Sequence, residues 1–349
     1  MQTLFLKNPV PDSFLFRQQA LITLRGLLPF EAACFTTVDP RSLLSTGAVT
    51  DDRIERIHPA LFKNEYLATD YNKYMRLATS DSPIAVLSVA TKGKLERSAR
   101  YKEILLPAGF GDELRAALVW EGKCWGFLTL FRSEGHAHFS SEDIRRLSEV
   151  LPAMARSLKQ FACNWPLPAP NSVLETGIMI VDEQCNLLSA NASGKRLLHW
   201  LRQMEQLAPP VLPRPIRAVC SKAKSGNPDS PIQTNEARLC VFSPDGFLLS
   251  IQATQMHAES AQFAVIGEQA QPQELLNQML DFYRLSARET ELLRLLVQGY
   301  STKQLSETLS ISAYTVQDHL KSIFAKTGVS SRRELIGLLL SPYNISADL

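Results

Sequence analysis

Three polar side chains near the C-terminus have types and spacing suited to reading DNA. Gln317, Asp318 and Lys321 fall beside a run of apolar residues, Val316, Leu320, Ile323 and Phe324, which repeat at three- and four-residue steps. That period puts the apolar set on one face of a helix and Gln317 and Lys321 on the other, with Asp318 and Tyr314 flanking them. A glutamine amide can bond adenine at two points, a lysine can donate to guanine, and an aspartate can accept from the amino group of cytosine. Gln317, Asp318 and Lys321 are therefore expected to face bases in double-stranded DNA. Thr302, Lys303, Thr315, Lys326 and Arg332 are better placed for phosphates, which supply affinity but little sequence information.

Such a face is useful only if the backbone holds it out, and the flanking sequence carries the signals for that. Ser286 stands three residues before Glu289, and Ser301 three before Gln304. Ser331 stands three before Glu334 in the same way. Each pair can form a capping box that satisfies free N–H groups at a helix start. Ser312 can cap a helix beginning at Ala313. Gly299 and Gly328 follow apolar-periodic runs, where a helix commonly ends in a left-handed residue. Only Ser310–Ser312 separates the second helix, Thr302–Leu309, from the third. So short a connection makes the two helices cross sharply, as in a helix-turn-helix.

The block resembles the LuxR/GerE-type helix-turn-helix of bacterial transcription regulators. The matching stretches are Leu285-Ser286-Ala287-Arg288-Glu289, the junction from Gly299 to Leu305, Thr315-Val316, His319, and Lys326-Thr327-Gly328-Val329 with Arg332. One departure is Gln317, where the family often has a basic residue after Thr-Val; the expected target sequence differs accordingly. The resemblance implies a homodimer on DNA with the fourth helix near the dimer contact. That helix carries Leu335, Ile336, Leu338, Leu339 and Leu340, some of which must fill the domain's own core.

The chain has 349 residues, enough for two or three domains, and 45% hydrophobic residues, enough for sizeable cores. Its net charge is only +2, so it is not a general polyanion binder, and basic character is concentrated at residues 321–333. Six cysteines are scattered without CxxC spacing, as expected of buried thiols in a reducing cytosol. No run of about 20 apolar residues offers a membrane span, and the expected location is the cytoplasm.

Ahead of the block, residues 163–170 (CNWPLPAP) pack three prolines and read as a linker. A weaker break is expected at Gly267–Gln273, before a connecting helix over Glu274–Phe282. The expected domains are thus 1–162, 171–268 and 282–345, in a multidomain α+β chain with an all-α four-helix C-terminus.

In the first region a helix is expected at Ser13–Leu28, a strand at Ala32–Val38, and short helices at Asp51–Ala60 and Tyr66–Ala78. Strands follow at Leu114–Glu121 and Lys123–Phe131, turned by Glu121-Gly122. A last helix starts within Phe139–Asp143, with acidic residues in its first turn, and runs to about Phe161. This order, with Trp125-Gly126-Phe127-Leu128-Thr129-Leu130 and the Phe139–Asp143 helix start, resembles a GAF domain, an α/β sensor module that holds a small ligand or serves to dimerise. Trp120 and Trp125 are the residues expected to line such a pocket, against the plainer reading that they pack in the core.

The second region resembles the opening of an α/β PAS domain. Its matching residues are Val173–Asp182, a turn at Asp182-Glu183-Gln184, and Asn186–Ser193, with a helix started near Asn191. Later strands are expected at Ala237–Ser243, Gly246–Thr254 and Gln262–Ile266. The proline-rich segment 209–231 reads as a loop.

No other constellation competes. His136 and His138 would share a strand face, but no further metal ligand is evident beside them. There is no Walker loop, no GxGxxG sequence and no nucleophile elbow, so no catalytic residue and no cofactor is named. The leading expectation is a transcription regulator whose sensor regions control the helix-turn-helix, with a small-molecule effector and RNA polymerase as further partners. A protein-interaction adaptor that uses the same helices is the alternative. An enzyme directed to DNA is a third reading, without a convergent polar site to support it.

Overall fold

The structure, a computed structural model, describes residues 12–163, 174–225, 237–256, 262–283 and 285–340. The described chain opens with α1 (Ser13–Leu27), whose first turn is capped by Asp12 accepting from the Leu15 N–H at 2.9 Å. Strands β1 (Ala32–Val38), β2 (Ser45–Thr50), β3 (Ile84–Val86), β4 (Phe110–Trp120) and β5 (Lys123–Ser133) form one antiparallel sheet in the order β2-β1-β5-β4-β3. The expected hairpin is present, and Glu121 and Gly122 both have positive φ (56° and 75°), the geometry a two-residue turn needs to match strand twist.

This sheet is covered on both faces. Helices α2 (Asp52–Leu67), α3 (Tyr74–Leu77) and α4 (Leu87–Ala90) cross between the strands, and α5 (Ser141–Cys163) follows them. On one side Ile54 and Leu61 of α2 share a cluster with Ala32, Cys34, Phe110 and Phe131 of the strands. On the other side α5 lies so close to β5 that a Cβ on Gly126 would stand 2.5 Å from Leu158 and 2.6 Å from the Thr36 carbonyl. Phe16 of α1 meets Phe161 of α5 with ring centroids 5.5 Å apart.

The structure differs from expectation at several points. β2 had no anticipated counterpart, because Ser45–Thr50 is poor in large apolar residues and owes its form to pairing with β1. α2 does not stop near Ala60. It passes Pro59, because Ile54, His58, Leu61 and Asn64 are all buried along one side, and that packing outweighs one lost backbone bond. The helix expected at Tyr66–Ala78 is absent as such: α2 ends at Leu67, and only Tyr74–Leu77 is helical beyond it. β4 begins at Phe110 and not at Leu114, since the charged Asp112 and Glu113 are buried within the strand.

A second five-stranded sheet repeats the same strand order. It contains β6 (Gly177–Asp182), β7 (Leu187–Ala190), β8 (Arg238–Phe242), β9 (Leu248–Gln255) and β10 (Gln262–Gln269), arranged β7-β6-β10-β9-β8. Asn191 caps α6 (Ala192–Glu205) by accepting from the Gly194 N–H at 2.7 Å. Gly194 has to be glycine here, because a Cβ would stand 2.7 Å from the Ile178 carbonyl. The proline-rich segment is not simply a loop, as Arg214–Ser225 forms α7. Its Pro215 sits in the first turn, where the missing N–H had no partner to lose. Gly267 is no break either. It lies inside β10, where Leu197 of α6 packs over the position a Cβ would take.

The chain divides into two compact units. The first comprises Met1–Phe161, Thr176–Val241 and Ser250–Glu268, and the second Ala162–Glu175, Phe242–Leu249 and Gln269–Leu349. Within the first, the two sheet regions meet through buried charge. Arg214 bonds Glu205 (Nη1, 3.1 Å), Glu55 (Nη2, 2.6 Å) and Thr50 (2.8 Å). Arg217 pairs with Glu55 at 2.9 Å. The linker expected at 163–170 lies, apart from Cys163, outside the described residues.

The second unit holds α8 (Pro272–Tyr283), α9 (Ala287–Val297), α10 (Thr302–Leu309), α11 (Ala313–Thr327) and α12 (Arg332–Leu340). Leu292, Leu293, Leu296, Leu305, Leu309, Val316, Leu320, Ile323, Leu335 and Ile336 form its core. Leu276 and Met279 of α8 belong to the same cluster, so the connecting helix is part of this fold and not a mere spacer.

Candidate nucleic-acid interface

The interface starts from caps. Ser286 accepts from the Glu289 N–H while Glu289 accepts from the Ser286 N–H, and Ser301 and Gln304 do the same for α10. Ser312 caps α11 through the Thr315 N–H at 3.1 Å. At α12 the box is shifted by one: Ser331 accepts from the Glu334 N–H, but the Glu334 carboxylate turns to the N–H and hydroxyl of Ser330. α9 ends with Gly299 at φ 89°, its N–H on the Leu296 carbonyl and the Tyr300 N–H on that of Leu295. This is the double bond of a Schellman stop. The turn between α10 and α11 spans three residues and bends at Ser310, which takes φ 52° despite carrying a side chain.

These ends fix how α11 is presented. Val316, Leu320 and Ile323 are buried, and Gln317, Asp318 and Lys321 are exposed on the other side, with Lys321 Nζ 3.7 Å from Asp318 Oδ1. Asp318 therefore partly neutralises the lysine beside it. Tyr314, flanking the same face, is 74% exposed. Lys303 is exposed near the start of α10, and Thr302 and Thr315 are half-buried. The Thr315 hydroxyl lies 2.9 Å from that of Ser312.

Two of the cations expected on phosphates also have work inside the domain. Lys326 Nζ sits 2.6 Å from Glu289 Oε2, and Arg332 Nη2 donates to the Tyr300 carbonyl at 2.6 Å. Glu289 is nearly enclosed and also accepts from Ser322 at 2.6 Å. Burial works to raise its pKa, but the bonds from Lys326, Ser322 and Ser286 outweigh this and hold it at about 2. Glu289 thus joins the start of α9 to the end of α11. Its tertiary role was hidden behind its local one as a capping residue.

In the first unit Trp120 and Trp125, expected beside a pocket, stand apart from the cavity found there. A cavity of about 180 Å³ lies between the first sheet and α2, and neither tryptophan lines it. Phe127, Thr129 and Phe131 do, and simple alternation along β5 would add Trp125. A bulge in the hairpin breaks the alternation, pairing Leu118 with Gly126 but Val119 with Cys124. Cys124 and Phe127, three apart, then face one cluster, while Trp125 is buried and its indole N–H turns back to the Trp120 carbonyl at 3.2 Å.

The residues that do surround the cavity include His58, Glu65, Tyr74, Arg100, Arg115 and Thr129. Arg100 grips Glu113 through Nε (3.0 Å) and Nη2 (2.6 Å), and Arg115 bonds Glu65 at 2.8 Å. Burial alone would raise Glu65 and Glu113, but the neighbouring arginines keep both below the usual carboxylate range. His58 is driven well below its ordinary pKa by burial and then by Arg214, Arg217 and Arg100. It is neutral, and its Nδ1 lies 3.1 Å from Arg217 Nη1. A charged residue inside an apolar strand, such as Glu113 or Arg115, was the available sign of this cluster in the sequence. His136 pairs with Glu31 at 3.3 Å, and no group of three metal ligands occurs among the described residues.

Residues 283–339 match the family model of bacterial regulatory proteins, luxR family, so a LuxR-type helix-turn-helix domain occupies the C-terminus. The oxygen regulatory protein NreC of Staphylococcus aureus (strain JH9) is 39% identical over 64 residues, which is 18% of this chain and 30% of NreC. The chain thus spans about a third of the length of the curated relatives it matches. Among solved structures, Escherichia coli SdiA aligns over 98% of this chain and 94% of its own at 10% identity and a TM-score of 0.35. The cyanobacteriochrome TePixJ GAF domain aligns over 45% of this chain and 94% of its own at 13% identity and a TM-score of 0.35. At these scores neither likeness decides the fold. No helix among the described residues is long and apolar enough to cross a membrane.

Proposed function

We propose that this chain is a cytoplasmic bacterial transcription regulator that binds specific double-stranded DNA through α11 as a homodimer, under control of its first unit. The observation that carries the reading is the exposed Gln317–Lys321 face, held out by a capped three-residue turn in a domain matched to the luxR family. Gln317, Asp318 and Lys321 take the base-facing role. Thr302, Lys303 and Thr315, with Lys326 and Arg332 as shared cations, take the phosphates. The regions 1–162 and 171–268 act as GAF-like and PAS-like sensors, and RNA polymerase is the partner at the promoter. No catalytic step is assigned to any of them.

Control of this kind requires two arrangements of the protein and an effector that prefers one, since an effector can shift the balance only by its difference in affinity. The test uses the full chain and DNA fragments from upstream of its own coding sequence. Sequence-selective binding that weakens steeply with salt is expected. Equal binding to all fragments, or none at low salt, would sink the DNA reading.

A further inference from the structure

Of the side chains that line the cavity under α2, Ser45 Oγ, Arg115 Nε and Arg100 Nη1 are buried without a hydrogen-bond partner, and Arg115 Nε still has Glu113 Oε2 at 3.1 Å. Arg100 is only 3% exposed, and its Nη1 is left over while Nε and Nη2 hold Glu113. A buried guanidinium N–H left unpaired is costly unless something accepts from it. The two guanidiniums on this wall are already balanced by carboxylates, Arg100 and Arg115 against Glu113 and Glu65, with Lys222 as a further lining cation. An anion bound there would upset that balance, and a cation would face the free donor. A neutral acceptor satisfies Nη1 at no such cost.

The rest of the wall selects the body of the molecule. Phe62, Tyr66, Phe127 and Phe131 surround the space, and Tyr74 stacks on Phe127 with ring centroids 4.0 Å apart. Flat apolar surface of this kind favours a planar ring. The volume of about 180 Å³ admits a small molecule and not a peptide. We infer that the cavity under α2 takes a small, neutral, aromatic or otherwise planar apolar molecule bearing one carbonyl-type acceptor, bound by Arg100 Nη1.

That such a molecule regulates DNA binding rests on the sensor reading proposed above; its chemistry does not. The probes are 4-fluoroacetophenone, its alkene isostere 4-fluoro-α-methylstyrene, and 4-fluorobenzoate, titrated into the full chain and followed by fluorine NMR. The ketone should bind about tenfold tighter than the alkene, as a hydrogen bond to a charged donor implies, and tighter than the carboxylate. It should also slow hydrogen exchange at residues 54–65 and 127–131 of the wild-type protein. Arg100→Lys keeps a cation beside Glu113 but removes Nη1, and should abolish the preference for ketone over alkene. Equal binding of ketone and alkene, tighter binding of benzoate, protection elsewhere, or no binding would each overturn the inference. The wild-type comparisons decide it even if the variant does not fold. None of these outcomes touches the DNA-binding reading, which the promoter fragments test separately.

Discussion

Glu289 and Lys326 offer the sharpest test of how the second unit works. The carboxylate is 5% exposed and the ammonium 36%, at 2.6 Å. Holding Glu289 at about 2, down from 4.5, corresponds to about 3 kcal/mol for all the interactions that favour its ionised form. Lys326 is partly solvated, so its share should be about 1–2 kcal/mol. Glu289→Gln keeps an acceptor for the capping box, as Gln304 does in α10, and should cost about 2 kcal/mol. Glu289→Ala also loses the cap and should cost about 3 kcal/mol. Lys326→Met should cost about 1–2 kcal/mol, and the double variant with Glu289→Gln should recover most of that as coupling energy. Native-state hydrogen exchange on the full chain, read over α9 and α11, measures these values locally. The carboxylate's contribution is complete above pH 4.5 and is lost as pH falls toward 2. The same variants on DNA give the second reading. If Lys326 serves the fold alone, Lys326→Met leaves the salt dependence unchanged; if it also neutralises a phosphate, its removal lowers the slope by about one. Zero coupling to Glu289 together with a reduced slope would refute the internal role.

Gln317→Lys should change base preference at one position of each half-site by about 1–3 kcal/mol, checked by selection from a random DNA pool. Ser301→Ala removes the side-chain cap of α10 and should cost about 1 kcal/mol, measured by hydrogen exchange over Thr302–Leu309. Gly126→Ala should destabilise the first unit by about 2 kcal/mol or more, because the new methyl meets the Thr36 carbonyl at 2.6 Å. Gly267→Ala should cost about 1 kcal/mol or less, since only the end of Leu197 stands in the way; urea unfolding followed by tryptophan emission compares the two. His58 stays neutral in the fold, so the first unit should lose stability as pH falls below 6.5, where the unfolded chain takes up a proton that the folded one refuses. His58→Gln should flatten that slope between pH 7 and 5 in acid titrations.

The second unit was legible because its signals are local. Ser286, Ser301 and Ser312 act on N–H groups three residues away, Gly299 and Gly328 end helices by their own φ, and Val316, Leu320 and Ile323 declare a face by period alone. The same holds for Glu121-Gly122 in the hairpin and Asn191 at α6. Spacing alone thus placed Gln317 and Lys321 outward and defined the turn that presents them. It could not show that Lys326 lies on Glu289, 37 residues away, or that Arg332 reaches Tyr300.

In the first unit the decisive interactions are long-range. Pro59 argued for an early end to α2, yet burial of Leu61 and Asn64 carries the helix on. The bulge beside Leu118 turns Trp125 away from the cavity, a shift of register that no alternating pattern records. Arg100 stands 13 residues from Glu113 in sequence and takes its meaning only when the strand and the segment before it are brought together. What the chain alone determined was where helices start, stop and turn their polar faces, because those choices are settled within a turn or two of backbone. Which charges are buried, which are free and where a cavity remains were decided only by the tertiary structure, since each depends on groups that meet after distant segments pack.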